Sequence, residues 1–524
     1  MDRRSFMYTG GFAAAGIALS SCGSSDGPQP APSTPTIAAP KNFQDRDFGP
    51  PPISDRLNQG PFPQYGSGAV VPDSDVVMAT VTHRGPNPGF GKGLITYIVA
   101  DQGLDEIHAA DKMAEIDRLV AFPLGDKIYL RPTWREIQPV PGPLRFPDYW
   151  HRAFDAAQSH GKRVSFRIQL RAPDYDEEAL PDFVLQRIPM VKLTGYTGDD
   201  RWGARPYYEP CYDDPFFQDA WRDMVDQLAA TYDGHPLVET VDAFMYGFWG
   251  EGHTWPFENN PFPSFDVAQR TWVDMFDHQR DLWKKTPLVV NTQPDFSRVG
   301  NDALVDSAVR SFNWLRTDTV FIENTQIDEI SNRPPWTGAM LEVGVKPDLP
   351  PPSKNPDDIS RVENTMRHVL DVGPNYWSLW NFHGISVENL TRYTERFPDV
   401  LDDIKSRIGY RVRPTLIWAY QKDDRPGLVV GLINDGVAAV PGALRISVED
   451  TAGKHLAGGS LDPGYPLPGK IRQAQLSLPP GTDWRGLRLR AELEVKGVRY
   501  PVTWACTPRP NQDGTLTLRP NLES

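Results

Sequence analysis

The sequence predicts an α/β protein, a (β/α)8 barrel of the TIM type followed by an antiparallel β-sandwich domain. Three observations carry that prediction. Eight short, largely apolar runs recur across residues 76–408, with amphipathic stretches between several of them. Most of these runs are apolar on both faces, as strands of an all-parallel sheet must be. After Tyr410 the texture changes to alternating strands separated by closely spaced turns, with no helical period.

The eight expected strands are Ile95–Val99, Lys127–Arg131, Val164–Leu170, Val241–Gly247, Leu288–Asn291, Ser311–Leu315, Ala339–Val343 and Tyr376–Trp380. Helical periodicity falls between them. Tyr149–His160 places Trp150, Phe154 and Ala157 on one side, and Pro215–Tyr232 does the same with Phe217, Trp221, Met224 and Leu228. Arg361–Val372 is a third such stretch, and Asp213 and Asp214 stand where they would cap the helix that opens at Pro215. In the C-terminal part, residues 409–524, Pro426-Gly427 and Asn434-Asp435-Gly436 are turn signals. Leu444–Val448 and Leu487–Val495 alternate between apolar and polar residues. Its aromatics are few, Trp484, Tyr500 and Trp504 among them, which suits a domain that buttresses the barrel.

The N-terminus precedes all of this. Asp2-Arg3-Arg4-Ser5-Phe6-Met7 resembles a twin-arginine export motif, an apolar run follows from Gly10 to Leu19, and Leu19-Ser20-Ser21-Cys22 matches a lipobox. Residues 1–21 thus read as a lipoprotein signal peptide and Cys22 as the lipidated residue. Such a chain is exported and tied to the membrane of the cell envelope. Gly23 after Cys22 resembles outer-membrane sorting, with the body facing the periplasm or the surface. Residues 22–75, rich in Pro, Ser and Gly, read as a tether. Cys211 and Cys506 stand almost 300 residues apart without metal or redox spacing, and read as two free thiols.

Composition narrows the partner. A net charge of −14 with no Lys/Arg cluster beyond the N-terminus argues against nucleic acid. No cofactor motif, metal-ligand spacing or obligate protein partner is evident. The 15 tryptophans suit a surface that stacks flat sugar faces, although most Trp residues fill cores.

In a barrel of this kind the functional side chains lie where strands run into βα loops. The sharpest cluster there is Tyr246-Gly247-Phe248-Trp249-Gly250-Glu251-Gly252-His253, a glycine-rich aromatic turn with one carboxylate and one imidazole. A carboxyl desolvated beside Trp249 suits a general acid. Glu342 is the single charge in the apolar strand Ala339–Val343, where it needs either a chemical role or an Arg partner such as Arg131 or Arg167. Glu323 competes with it for the second carboxylate position. Candidate binding residues at the strand ends are Arg131, Trp134, Arg171, Tyr175, Trp249, His253, Asn291, Asn313, Trp377, Trp380, Asn381 and His383, with Trp255 as a further stacking wall.

A family resemblance joins these motifs. Thr133-Trp134-Arg135-Glu136-Ile137-Gln138-Pro139 with Gly142 resembles the segment after the second strand of glycoside hydrolase family 42 and its clan A relatives. Arg171-Ala172-Pro173 with Leu180–Val184 resembles the segment after their third strand. Tyr246–His253 resembles the turn after the fourth strand in family-42-like barrels. The resemblance covers about residues 80–405. It implies a glycosidase acting on an oligo- or polysaccharide by retention, with Glu251 as acid/base and Glu342 as nucleophile. One departure stands out: the clan places Asn before the acid/base residue to hold the substrate 2-hydroxyl, and this chain has Gly250, so that Asn291 or Asn313 would have to serve. The rival expectation is a glycan-binding surface lipoprotein that uses the same barrel mouth without cleavage. Carboxylates about 5–5.5 Å apart favour retention, and about 6.5–9.5 Å favour inversion. An Arg filling the gap favours the binder.

Overall fold

The computed structural model describes residues 49–62, 75–101, 103–171, 173, 178–196, 206–254, 257–292, 301–317, 330–342, 363–364, 366–378 and 385–520. The signal peptide, Cys22, Tyr175, Trp255, Glu323, Trp380, Asn381 and His383 lie outside them.

Eight parallel strands close into a barrel: β1 Gly93–Val99, β2 Lys127–Leu130, β3 Arg163–Phe166, β4 Val238–Asp242, β5 Leu288–Asn291, β6 Trp314–Thr317, β7 Ala339–Leu341 and β8 Tyr376–Ser378. Each pairs with its sequence neighbours and β8 closes on β1, with Tyr376 opposite Gly93. All eight expected strands are present in order, with ends that differ by a few residues. One such difference matters: β6 begins at Trp314, three residues later than the sequence suggests.

Helices cover the outside. They include α1 Lys112–Ala121, α2 Asp148–Ser159, α3 Pro215–Tyr232, α4 Phe265–Leu282 and α5 Asn301–Arg310. The expected apolar face of α2 is buried at Trp150, Phe154 and Ala157, and that of α3 at Phe217, Trp221, Met224 and Leu228. Asp214 caps α3, its carboxylate accepting from the backbone N–H of Phe216 and Phe217. In the third stretch, residues 363–364 and 366–367 are α-helical and His368–Val372 continues as a 3-10 turn. No helix among the described residues is long and apolar enough to cross a membrane.

The C-terminal region forms two antiparallel sheets. One is built on β9 Val412–Lys422, β10 Arg425–Asn434 and β13 Ile471–Ser477; the other on β11 Ala443–Glu449, β12 His455–Ser460, β14 Arg488–Val495 and β15 Val498–Val502. The first sheet recruits two N-terminal segments. Asn58–Gln59 pairs with β13, and Asp75–Ala79 pairs with β9. Residues 54–62, expected within the tether, are therefore part of this sheet's edge. Leu57 and Phe62 are buried there, and Arg56 pairs with Asp462 at 2.6 Å. Two apolar anchors and one ion pair fix a segment whose composition alone reads as linker. Cys211 and Cys506 are both free thiols.

The C-terminal region meets the barrel at the strands' N-terminal end. Phe90, three residues before β1, stacks on Tyr500 with centroids 3.5 Å apart. The Tyr410 hydroxyl donates to the Phe90 carbonyl at 2.7 Å. Lys496 donates to the Trp283 carbonyl at 2.5 Å and to Asn313 Oδ1 at 3.0 Å. The opposite end of the barrel is left to the βα loops.

Candidate active site

Parallel strands place partner residues on a common face. Tyr97 lies opposite Tyr129, and Arg316 opposite Asn291. At the C-terminal end of the barrel this alternation turns Arg131, Arg167, Asp242, Arg316 and Glu342 into the interior, where all are 1% exposed or less.

One guanidinium organises the layer. Arg316, at the third position of β6, donates from Nη2 to Glu251 Oε1 at 2.9 Å and from Nε to Asp242 Oδ2 at 2.9 Å. Its Nη1 stands 3.2 Å from Glu342 Oε1. Glu342 also accepts from Arg131 Nη2 and, at 2.8 Å, from the Tyr97 hydroxyl. Arg131 Nη1 pairs with Asp101 at 2.7 Å, and Tyr129 donates to Asp242 at 2.5 Å. Arg167 Nη1 stands 3.6 Å from Asp242 and 3.7 Å from Glu251. Desolvation opposes a buried cation. For Arg131 and Arg316 the surrounding acids and tyrosines outweigh it and hold both guanidinium groups well above their ordinary range. Burial pushes the Tyr97 hydroxyl up as well, so it stays a donor.

Glu251 reaches this layer because of an unusual turn. The backbone takes positive φ at Gly247 (84°), Trp249 (56°), Gly250 (76°) and Gly252 (77°). A Cβ at Gly247 would stand 2.7 Å from the His253 nitrogen, and one at Gly252 would stand 2.9 Å from the Trp272 ring. Glycine is thus required at both. Trp249 accepts a left-handed backbone, which costs about 1–2 kcal/mol in an L-residue. Its N–H bonds to the Arg171 carbonyl at 2.9 Å, and its ring packs in a buried cluster with Phe248, Leu193 and Tyr207. The turn brings His253 Nε2 to 3.4 Å from Glu251 Oε2.

The structure thus brings together Glu251, Glu342, Arg131 and His253, with Trp249 behind them and Asn291 buried on the same inward face of β5. Other expected residues are elsewhere. Asn313 immediately precedes β6, at the far end of the barrel, where Oδ1 accepts from the Leu288 N–H at 2.9 Å and from Lys496. Trp377 alternates with Tyr376, whose hydroxyl reaches the interior Glu239 at 2.7 Å, so the indole faces the helical layer. Trp134 opens the short helix Trp134–Ile137, donates to Gln138 at 2.8 Å and packs edge-on against Phe183 and Phe217. Arg171 is held by Glu178 and Glu209, 2.5 and 2.7 Å away, and by the Tyr208 carbonyl. Those three are structural in this geometry, and Asn313 is a strut beneath the barrel.

Arg316, Asp242, Tyr97, Tyr129 and Asp101 are the site residues that sequence reasoning missed. The same signal that singled out Glu342, one charge in an apolar strand, also marks Arg316 in Trp314-Leu315-Arg316 and Asp242 in Val241-Asp242-Ala243. Among the described residues no group of three or more His, Cys, Asp or Glu side chains could hold a metal ion.

No protein-family model matches this chain, and no curated protein does. Solved structures similar to it include a catalytic mutant of Gan42B, a family 42 β-galactosidase from G. stearothermophilus (12% identity, TM-score 0.39, 61% of this chain and 58% of that one). A family 5 subfamily 18 glycoside hydrolase from Bifidobacterium longum, in complex with Manb1-4GlcNAc, has 12% identity and TM-score 0.39 over 61% of this chain and 79% of that one. The β-galactosidase of Marinomonas ef1 has 14% identity and TM-score 0.36 over 60% and 62%. This chain thus spans less than two thirds of both β-galactosidases.

Proposed function

We infer that this protein is a glycoside hydrolase acting on an oligo- or polysaccharide by double displacement. The observation that carries the reading is the convergence of two carboxylates, Glu251 after strand β4 and Glu342 at the end of strand β7, on the two terminal nitrogens of Arg316. Sharing one guanidinium keeps the two groups close, as a nucleophile and an acid/base on one anomeric carbon must be.

The surroundings support one assignment of the roles. Three carboxylates crowd Arg316, and like charges at that range favour a proton on one of them. Glu342 has Arg131 and Tyr97 as further donors, and Asp242 has Tyr129. In this reading Glu251, with His253 Nε2 at 3.4 Å, carries the proton, and Glu342, held by Arg131 and Tyr97, is the standing anion. Glu342 attacks the anomeric carbon while Glu251 passes its proton to the departing oxygen. A water then gives a proton back to Glu251 as its oxygen displaces Glu342, which restores both groups. Burial strengthens each of these interactions relative to water.

The test is hydrolysis of a panel of aryl glycosides and of plant and bacterial polysaccharides by residues 49–524. Glu251→Gln and Glu342→Gln serve as controls. Sugar release lost in both variants supports the reading. Arg316 between the carboxylates is the arrangement that favours the second reading, a site that binds a glycan without cutting it. Retention on immobilised glycan without release, unchanged in either variant, would favour that binder. Export and attachment to the envelope through a lipid on Cys22 complete the proposal, and metabolic labelling with palmitate that disappears in Cys22→Ala tests them.

A further inference from the structure

The charged layer at the barrel mouth includes buried polar atoms that the described residues do not satisfy. Arg167 is 1% exposed, yet its Nε and Nη2 meet no hydrogen-bond partner among the described residues. The same holds for Asp242 Oδ1, on the carboxylate whose other oxygen stands 3.6 Å from Arg167 Nη1, and for Gln169 Oε1, two residues along the same face of the chain as Arg167. A buried donor or acceptor without a partner is costly, and a native protein keeps one where something else completes it. Arg167 itself reaches toward Glu251, the proposed acid/base, with Nη1 3.7 Å from Oε1.

The identity of the atoms limits what completes them. Nε and Nη2 form one edge of a guanidinium and can only donate; Asp242 Oδ1 and Gln169 Oε1 accept. A carboxylate ligand only accepts, and would leave the two oxygens unmet. A sugar hydroxyl both donates and accepts. Charge points the same way. Arg131, Arg167 and Arg316 already face Asp101, Asp242, Glu251 and Glu342. A further buried anion would add to the negative side.

We propose that the Nε–Nη2 edge of Arg167 binds a hydroxyl of the sugar ring, the one on the carbon next to the scissile centre, and that the ring held there is neutral and not a uronic acid. This rests on the hydrolase reading above and names its substrate class. The hydroxyl next to the anomeric carbon forms bonds that strengthen in the transition state. Gly250, at the position before Glu251, has no side chain to supply such a bond. Arg167, aimed from β3 toward the same carboxylate, supplies it.

The experiment compares 4-nitrophenyl glycosides of neutral sugars with their 2-deoxy counterparts and with uronides, in the wild type, Arg167→Lys and Gln169→Leu. Arg167→Lys keeps the charge beside Asp242 and Glu251 but removes the two-donor edge. Expected is a fall of about 10- to 100-fold in kcat/KM on the neutral parent in Arg167→Lys. The 2-deoxy substrate should be nearly unaffected, so that the discrimination between the two shrinks toward one. Equal falls on both substrates would overturn the proposal, because a residue that only props the layer cannot tell them apart. Preference for uronides would overturn it and leave the hydrolase reading standing. Should the wild type cleave nothing, the hydrolase reading fails. Calorimetry then decides the inference with the free sugars: neutral sugar bound by the wild type and lost in Arg167→Lys supports it. No neutral-sugar binding, or tighter binding of uronic acids, overturns it.

Discussion

Arg316 holds Glu251 at 2.9 Å with one arm and faces Glu342 at 3.2 Å with the other, so a single guanidinium spans the two carboxylates of the barrel mouth. All three side chains are fully buried. The pair is therefore set by β6 as much as by the strands that carry the acids.

Arg316→Met should remove both the geometry and the charge balance. Asp242, Glu251 and Glu342 would be left clustered, with Arg131 and Arg167 as their remaining described cations. Breaking a buried pair of this kind costs about 3–5 kcal/mol, so chemical denaturation should show a loss in that range, with hydrolysis abolished. Unchanged stability would mean that the cluster neutralises itself by taking up protons.

The turn before Glu251 gives a second prediction with two opposite arms. Gly247→Ala places a Cβ 2.7 Å from the His253 backbone and should lower stability by more than about 2 kcal/mol. At Gly250 the nearest heavy atom to a new Cβ is 3.5 Å away, and Asn tolerates left-handed backbone. Gly250→Asn should thus fold with a loss of about 1 kcal/mol or less. Thermal unfolding of the two variants separates the cases, and equal losses would contradict this account of the turn.

Both arms concern positions that were readable beforehand, and they show how far sequence reasoning reaches here. The eight strands were legible because barrel strands are apolar runs of uniform length, and Asp214 as a cap because it directly precedes Pro215. Glu251 and Glu342 were legible as isolated charges at strand ends. Asn313 was misplaced because a short apolar strand has no mark for its first residue. Reading β6 from Ser311 put Asn313 inside the strand and left Arg316 beyond its end. Trp377 was misread for a related reason: in a run apolar on both faces, only the partner of Tyr376 shows which face is inward. The tether was misread at 54–62 because two buried side chains, Leu57 and Phe62, do not alter a Pro-rich composition.

The far end of the barrel gives a pH prediction. Burial pushes Lys496 from its ordinary 10.5 down to about 8. The unfolded chain keeps that proton to the higher pH, so between pH 8 and 10.5 the unfolded state binds more protons and unfolding becomes harder as pH rises. For the half-buried Lys496 the gain is about 3 kcal/mol at most. Lys162, also lowered to about 8, titrates in the same window. The measurement is therefore the difference in unfolding free energy between wild type and Lys496→Met across that range. The wild type should gain on the variant with rising pH. A constant difference would show that the ammonium keeps its proton against Trp283 and Asn313.

Asn313→Leu tests the relocation of that residue. It removes the acceptor for the Leu288 N–H and for Lys496, and should cost about 1–3 kcal/mol of stability. KM and kcat at the opposite end should stay near wild type. A selective loss of substrate affinity would return Asn313 to the binding site.

The central claim is that Glu342 forms a covalent bond to the sugar. The most direct measurement is mass spectrometry of the protein after exposure to a panel of activated 2-deoxy-2-fluoro glycosides, which slow the second step and trap the intermediate. The account predicts one glycosyl adduct on the peptide that carries Glu342, absent in Glu342→Gln. An adduct on another carboxylate, or hydrolysis of aryl glycosides with inverted product and no adduct, would contradict it.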